Sequence, residues 1–292
     1  MKTDLLSCQL TAVLLAFTLA SGASAAEATP FFVMDTALRD GKERTPAEQA
    51  ALVKRLGYDG FGASGQLKPE FLQAFAQQGV TVFNNYITLS FDSAKPGLPP
   101  DLKEFVPQLK GHKTDLWIAI QAITKDGVKL KPSSPEGDAV VLPFLRELAD
   151  LAHDSGVRVA LYPHTWFWLE RVDDATRLTR KANRANLGVT FNLCHWLKVE
   201  GDRDPTPILK EALPNLFYVT INGADSGDTK NMDWARLIQP LDAGSYDVGR
   251  LLTTLRGLGY RGPIGFQGYG IKGDSEEVLR RTMTAWRQMN AL

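Results

Sequence analysis

The stretch "LGVTFNLCHWLKVEG", residues 187 to 201, decides the reading of this chain. Leu187 to Phe191 form an apolar run that stops at Asn192, and His195 and Lys198 follow at intervals of three. A run without strict polar alternation is the pattern of a strand covered on both faces, as in a parallel sheet. Such a strand delivers an amide, an imidazole and an ammonium group just past its end. Groups so placed serve metal ligation, catalysis, sugar binding or nothing in particular, and what surrounds them decides between these.

Working outward, the same kind of run recurs along the chain. "FFVMD" (31–35), "YDGFGAS" (58–64), "VTVFNNY" (80–86) and "LWIAIQAIT" (116–124) precede it, as does "VRVALYPH" (157–164). "LFYVTING" (216–223) and "PIGFQGYG" (263–270) follow it. Amphipathic stretches lie between them, including "TPAEQAALVKRLG" (45–57) and "AVVLPFLRELADLAHDSG" (139–156). In the latter, Leu142, Leu145, Leu148 and Leu151 make a stripe expected to bury one helix face. "LGYDG", "DSGVR" and "LGYRGP" each place glycine where a helix should stop before the next strand. Eight strands alternating with helices imply a parallel sheet covered on both faces. No G-x-G-x-x-G follows the first strand, which argues against an open dinucleotide-binding sheet. The expected fold is therefore α/β, a single (β/α)8 TIM barrel spanning residues 27–292.

Residues 1–26 read separately, as a secretory signal peptide to be removed. Lys2 starts a short n-region, "LTAVLLAFTLA" (10–20) is the apolar segment, and "ASA" (23–25) supplies small residues for cleavage. The expected location is periplasmic or secreted, with no membrane attachment after cleavage. Removal takes Cys8 with it and leaves Cys194 as the only cysteine, so no disulfide forms within the mature chain. The 33 basic and 33 acidic residues balance, which gives no bulk field toward nucleic acid or anionic membrane. At 44% hydrophobic and 23% charged, the composition is that of a soluble globular domain.

Chemistry in a barrel of this kind gathers where strands end at the C-terminal face. That filter passes Asn84, Asn85, Gln121, Tyr162, His164, Asn192, His195, Lys198, Thr220, Asn222, Asp225, Gln267 and Lys272. His112 and His153, the other two of the four histidines, fall in loop or helical segments and read as surface groups.

Four segments in order resemble the xylose isomerase-like TIM-barrel family of sugar isomerases and epimerases. "DSGVRVALYPH" is similar to that family's fifth strand, "NLGVTFNLCHW" to its sixth, which ends D-x-x-H, and "NLFYVTING" to its seventh. "PLDAGSYDVGRLLTTLRGLGYRGPIGFQGYG" is similar to the last unit and is the most specific match. The resemblance implies a divalent metal held by two glutamates, an aspartate and a histidine, polarising substrate oxygens while carboxylates move a proton. Here Tyr162, Asn192, Thr220 and Gln267 occupy those positions. Every anionic ligand has become neutral, so a hard cation would lose most of its electrostatic stabilisation. The family's usual metal mechanism is not expected, and no cofactor is expected by the family pattern. A transition metal held through His164 and His195 stays open.

The residues that remain define the expected site. His164 and His195 are the catalytic candidates, since imidazole titrates near working pH. Asn85, Gln121, Tyr162, Trp166, Asn192, Lys198, Asn222 and Gln267 are the substrate-binding candidates. Amides that donate and accept, beside aromatic faces in "YPHTWFWLER" (162–171), suit the hydroxyl rims and CH faces of a sugar. Cys194 reads as a small buried residue turned away from Asn192's neighbours by strand alternation. One tryptophan of 166–168 reads as core, and Glu170, Arg171 and Asp173 as helix-start charges. Asp225 and Asp242 read as caps or as loop carboxylates replacing the lost ones. The function expected is an exported sugar isomerase/epimerase-like protein acting on a carbohydrate. The alternatives are a non-catalytic carbohydrate-binding protein, or a lyase or hydrolase of modified glycosides. The partner is a small carbohydrate, with no nucleic acid, and homo-oligomer formation is open.

Overall fold

Eight parallel strands close on themselves: β1 (Phe31–Met34), β2 (Gly60–Ser64), β3 (Thr81–Asp92), β4 (Asp115–Ile123), β5 (Val159–Leu161), β6 (Leu187–Asn192), β7 (Leu216–Ile221) and β8 (Ile264–Phe266). The computed structural model describes residues 29–290, so the expected signal peptide lies outside the described residues. Neighbours pair in sequence order, and Phe31↔Ile264 and Phe32↔Gly265 join the last strand to the first. The helices are α1 (Pro46–Arg55), α2 (Pro69–Gln77), α3 (Pro100–Phe105), α4 (Gly137–Asp154), α5 (Val172–Ala182), α6 (Leu193–Glu200), α7 (Thr206–Ala212), α8 (Trp234–Leu237), α9 (Val248–Leu258) and α10 (Ser275–Asn290). All eight expected strands are present. Among the described residues, no helix is long and apolar enough to cross a membrane.

Local chemistry explains the helix limits. Thr45 caps α1, its hydroxyl taking the Glu48 N–H at 3.3 Å while Glu48 Oε2 accepts the Thr45 N–H at 2.7 Å. This reciprocal box satisfies two donors that the first turn leaves unpaired. Gly259, at φ 92°, ends α9 and returns its N–H to Arg256 and Leu255, a conformation that L side chains resist.

Two expectations need correction. The buried face of α4 is Val141, Phe144, Leu145, Leu148, Ala149 and Ala152, with Leu142 and Leu151 at its margins. A strict spacing of three drifts off the face because a turn holds 3.6 residues. Strand β3 also runs six residues beyond its expected end at Tyr86, pairing with β4 through Asp92↔Ile123. In "ITLSFD" (87–92) Ile87 and Phe91 are buried while Thr88 and Ser90 are exposed. That alternation is a half-exposed strand, which a search for unbroken apolar runs passes over.

Inside the barrel, aromatic rings lie against glycines of adjacent strands. The Phe32 ring covers Gly265, where a Cβ would sit 2.3 Å from a ring carbon. Phe83 lies likewise against Gly60, and Phe217 against Gly188. At the N-terminal end, Asp115 Oδ2 accepts from Arg158 Nε at 3.0 Å and from the Tyr218 hydroxyl at 2.6 Å. This buried carboxylate plugs one end of the barrel. Outside, Trp286 of α10 stacks on Phe31 of β1 with ring centres 4.1 Å apart and planes 7° apart. The last helix is thereby seated on the first strand. The opposite end of the barrel is left open.

Candidate active site

The open end is built around Tyr162, which follows β5 and is 2% exposed. Its hydroxyl oxygen accepts N–H bonds from Asn192 Nδ2, at the end of β6, and from Gln267 Nε2 at 3.4 Å, just past β8. The orientation of the Asn192 amide is set by its other side. Oδ1 caps α6 by accepting the His195 N–H at 3.3 Å and also accepts from Cys194 Sγ at 2.9 Å. Gln267 Oε1 accepts from Thr36 Oγ1 at 2.5 Å. The Tyr162 ring rests on Trp117 with 5.5 Å between centres. Burial pushes its hydroxyl pKa well above the ordinary phenol value, so the group keeps its proton.

This arrangement brings together three of the four positions at which the resemblance implies metal ligands. The fourth, Thr220, is buried level with Asn192 and Gly265 in the sheet register. The set does not fit a divalent cation. Two amide N–H groups converge on the phenol oxygen, Asn192 Oδ1 already holds two donors, and no carboxylate joins them. Among the described residues, no group of three or more His, Cys, Asp or Glu is arranged to hold a metal ion.

Beside this hub stand the two rim histidines, ring centres 4.1 Å apart at 43°. Thr165 links them. Its carbonyl lies 2.9 Å from His164 Nδ1 and its hydroxyl 3.0 Å from His195 Nδ1. A carbonyl only accepts, so His164 Nδ1 carries the hydrogen and a neutral ring keeps its lone pair on Nε2. Burial lowers the His164 pKa. Burial lowers that of His195 well below the ordinary value, and repulsion from His164 adds to it. Both rings are therefore neutral at pH 7, one with a defined acceptor nitrogen.

The cavity above this floor has a volume of about 510 Å³. Tyr162, His164, Cys194, His195 and Gln267 form its base, and Tyr86, Trp166, Trp234 and Tyr269 its aromatic walls. Arg39 reaches it from the loop after β1, held by Asp35 at 2.8 Å, and Asp35 in turn accepts from Ser64 Oγ at 2.8 Å. No aspartate or glutamate is among the lining residues.

Several residues expected at the site are placed elsewhere. The Asn85 amide bonds the carbonyls of Ala63 and Gly65, and that of Asn222 bonds Leu237 O at 2.7 Å and Gly223 O at 2.8 Å. Both amides thus serve backbone carbonyls. Gln121 supports the loop after β5, bonding Trp168 N at 3.3 Å and Trp166 O at 3.4 Å. Lys198 Nζ donates to Met232 O at 2.7 Å and lies 5.7 Å from the Trp234 ring centre. It steadies a wall of the cavity without lining it. Asn84 is fully buried below the floor, and Lys272 is exposed away from the cavity. Asp225 and Asp242 are engaged by Arg236 and Arg281 at 2.7 and 2.9 Å, so neither replaces a lost carboxylate.

The reading of Cys194 also changes. It is buried, but it belongs to α6 and lines the cavity. Strand alternation does not apply once the helix has begun at Leu193. Of the tryptophans after β5, Trp168 is the core residue, 1% exposed with Nε1 bonded to Ser134 O at 2.9 Å, while Trp166 faces the cavity. The filter missed Tyr86, Thr165, Trp234, Tyr269 and Arg39. Tyr86 was legible, since it lies two residues beyond Asn84 and so shares its face of the strand. Trp234 sits on the single turn of α8 inside a long loop, and no periodicity marks it.

The family model for the xylose isomerase-like TIM barrel matches residues 117–289, more than half of the chain. The chain belongs to that family. A 3-dehydroshikimate dehydratase of Pseudomonas aeruginosa is 28% identical over 131 residues, 44% of this chain, and the match spans a fifth of that relative's length (20%). Among solved structures, a xylose isomerase domain-containing protein of Salmonella typhimurium superposes with a TM-score of 0.69 at 14% identity, covering 90% of this chain and 98% of that one. A 3-keto-D-glucoside 4-epimerase of E. coli gives 0.66 at 16%, covering 89% and 99%. A D-allulose 3-epimerase of a Methylomonas species, in complex with D-allulose, gives 0.66 at 14%, covering 89% and 97%. At these identities the structural likeness is one of fold.

Proposed function

We propose that this protein acts on a carbohydrate bearing a carbonyl group, moving a proton at the adjacent carbon with His164 and His195 and without a divalent cation. The observation that carries this is the pair of neutral imidazoles joined through Thr165, at 2.9 and 3.0 Å, beside the amide-bound phenol of Tyr162. His164 Nε2 supplies a base whose lone pair is fixed by the hydrogen on Nδ1. When it takes the proton from carbon, the electron pair moves onto the carbonyl oxygen, which needs a hydrogen-bond donor. The Tyr162 hydroxyl accepts two N–H bonds and retains its own hydrogen for that role, and the proton taken up by His164 passes to the neighbouring ring of His195, centres 4.1 Å apart, for return to carbon.

Epimerisation beside a carbonyl and dehydration across it both begin with this proton removal. That shared step makes the reading compatible with relatives named as epimerases and with one named as a dehydratase. Return of the proton to the other face gives an epimer, and expulsion of a β-hydroxyl gives a lyase reaction. Export to the periplasm or medium belongs to the same proposal, supported by the leader-like composition of residues 1–26.

The absence of any carboxylate among the lining residues favours a second reading, carbohydrate binding without turnover. Incubation with ketoses and 3-keto-glucosides in D2O, followed by proton NMR between pH 5 and 9, separates the two. Deuterium entering beside the carbonyl, and not doing so with His164→Asn or His195→Asn, supports the enzyme. Clear binding with no exchange across the panel sinks it in favour of the binding protein.

A further inference from the structure

The cavity is divided in depth. Its base carries the polar groups described above, whereas its mouth carries two aromatic rings that the fold leaves in solvent. Trp166 is 64% exposed and Tyr269 57%, two of the three exposed large hydrophobic residues among those described. Both line this one cavity, from the loops after β5 and β8. Isolated exposed apolar residues need no explanation, but a pair converging on one cavity does.

Trp166 is also held there at a cost. Its φ is 69°, a left-handed conformation rare for bulky side chains and retained only where surrounding bonds enforce it. Those bonds are present on both sides. Glu170 Oε2 accepts the Trp166 N–H at 3.3 Å, and Gln121 Nε2 donates to its carbonyl at 3.4 Å. Two residues on, Trp168 turns inward against Gly137, so the segment sorts its tryptophans deliberately into one buried and one displayed. The Trp166 ring meets Trp234 edge-on at 5.7 Å, and Trp234 meets His195 at 5.8 Å. The outer ring is thus two ring contacts from His195.

We infer that the mouth is a second sugar-ring subsite, and that the ligand is a glycoside of at least two rings and not a free monosaccharide. The inference rests on the carbohydrate reading above and names its substrate class. One ring sits over Tyr162, His164 and His195, and the next lies against Trp166 and Tyr269, whose faces suit the CH face of a pyranose. A volume of about 510 Å³ is in the range that buries a drug-sized ligand, which matches two rings better than one. Arg39, also at the mouth, offers donors to the outer ring's hydroxyls.

Calorimetric titration of the full chain with methyl 3-keto-glucopyranosides and with the 3-keto derivatives of cellobiose, maltose and trehalose tests this. At least one disaccharide is expected to bind about tenfold more tightly than the methyl glycoside, the scale of one or two aromatic contacts. Trp166→Ala should abolish that preference. Tyr269→Ala, which carries no backbone constraint of this kind, should reduce it independently. Equal affinity for one ring and two, or equal weakening of both by Trp166→Ala, overturns the second subsite and leaves the carbohydrate reading in place. No binding of any sugar overturns both.

Discussion

Asn192 holds Tyr162 from the neighbouring strand, its Nδ2 donating to the phenol oxygen while its Oδ1 caps the helix that begins at Leu193. One side chain therefore fixes both the centre of the site and the start of α6, which carries His195. Tyr162→Phe removes the acceptor and leaves buried N–H donors of Asn192 and Gln267 unpaired. The expected loss is about 1–3 kcal/mol, read as a lower midpoint in urea with an unchanged slope. A variant as stable as the parent would show that the amides find other partners.

The same hub predicts indifference to divalent cations. Dialysis against EDTA should leave the Tm unchanged, as should millimolar Mn2+ or Zn2+. Tyr162→Glu combined with Asn192→Asp and Gln267→Glu replaces the converging donors by carboxylates and should make the Tm rise with added Mn2+. Stoichiometric metal on the unaltered protein would defeat the reading of this site as a hydrogen-bonded one.

The histidines make stability depend on pH in a stated direction. Their folded-state pKa values lie below the ordinary 6.5. As pH falls, the unfolded chain therefore takes up these protons first. The contribution is fully present above about 6.5 and is lost progressively below it. Unfolding free energy measured from pH 7.5 to 5 should fall with acidity, and His195→Gln should flatten that slope. An identical slope in the variant would assign the loss to other groups.

Gly265→Ala should destabilise by about 1–3 kcal/mol, because its methyl group would strike the Phe32 ring in a core with no slack. Combination with Phe32→Leu should recover part of the loss, as expected for a contact pair. Additive losses in the double variant would place the strain elsewhere.

At the closed end, Asp115→Asn removes the charge that Arg158 and Tyr218 share. Arg158 is 46% exposed in its side chain, so water recovers part of the loss. About 2 kcal/mol is expected, below the range for fully buried pairs. Deuterium exchange at the cavity should not change, since the plug and the site lie at opposite ends of the barrel.

The barrel is legible in the amino-acid order, because burial on both faces of a parallel strand forces an apolar run of strand length wherever one occurs. Eight such runs, punctuated by glycines such as Gly57, Gly156 and Gly259, leave few topologies that short connections can realise. The strand ends also located His164, His195, Tyr162, Asn192 and Gln267 near one another, since position along a strand becomes height in the barrel. Which polar groups face the cavity and which serve the backbone is set by contacts between distant segments. Asn85 and Asn222 have the same chemistry as Asn192, but the backbone carbonyls of Gly65 and Leu237 claim their amides. Trp234 and Arg39 enter the site from loops whose course no periodicity encodes. A period in sequence reports which side of an element is buried. It does not report which of several buried acceptors an amide will meet, because that partner comes from a segment far along the chain.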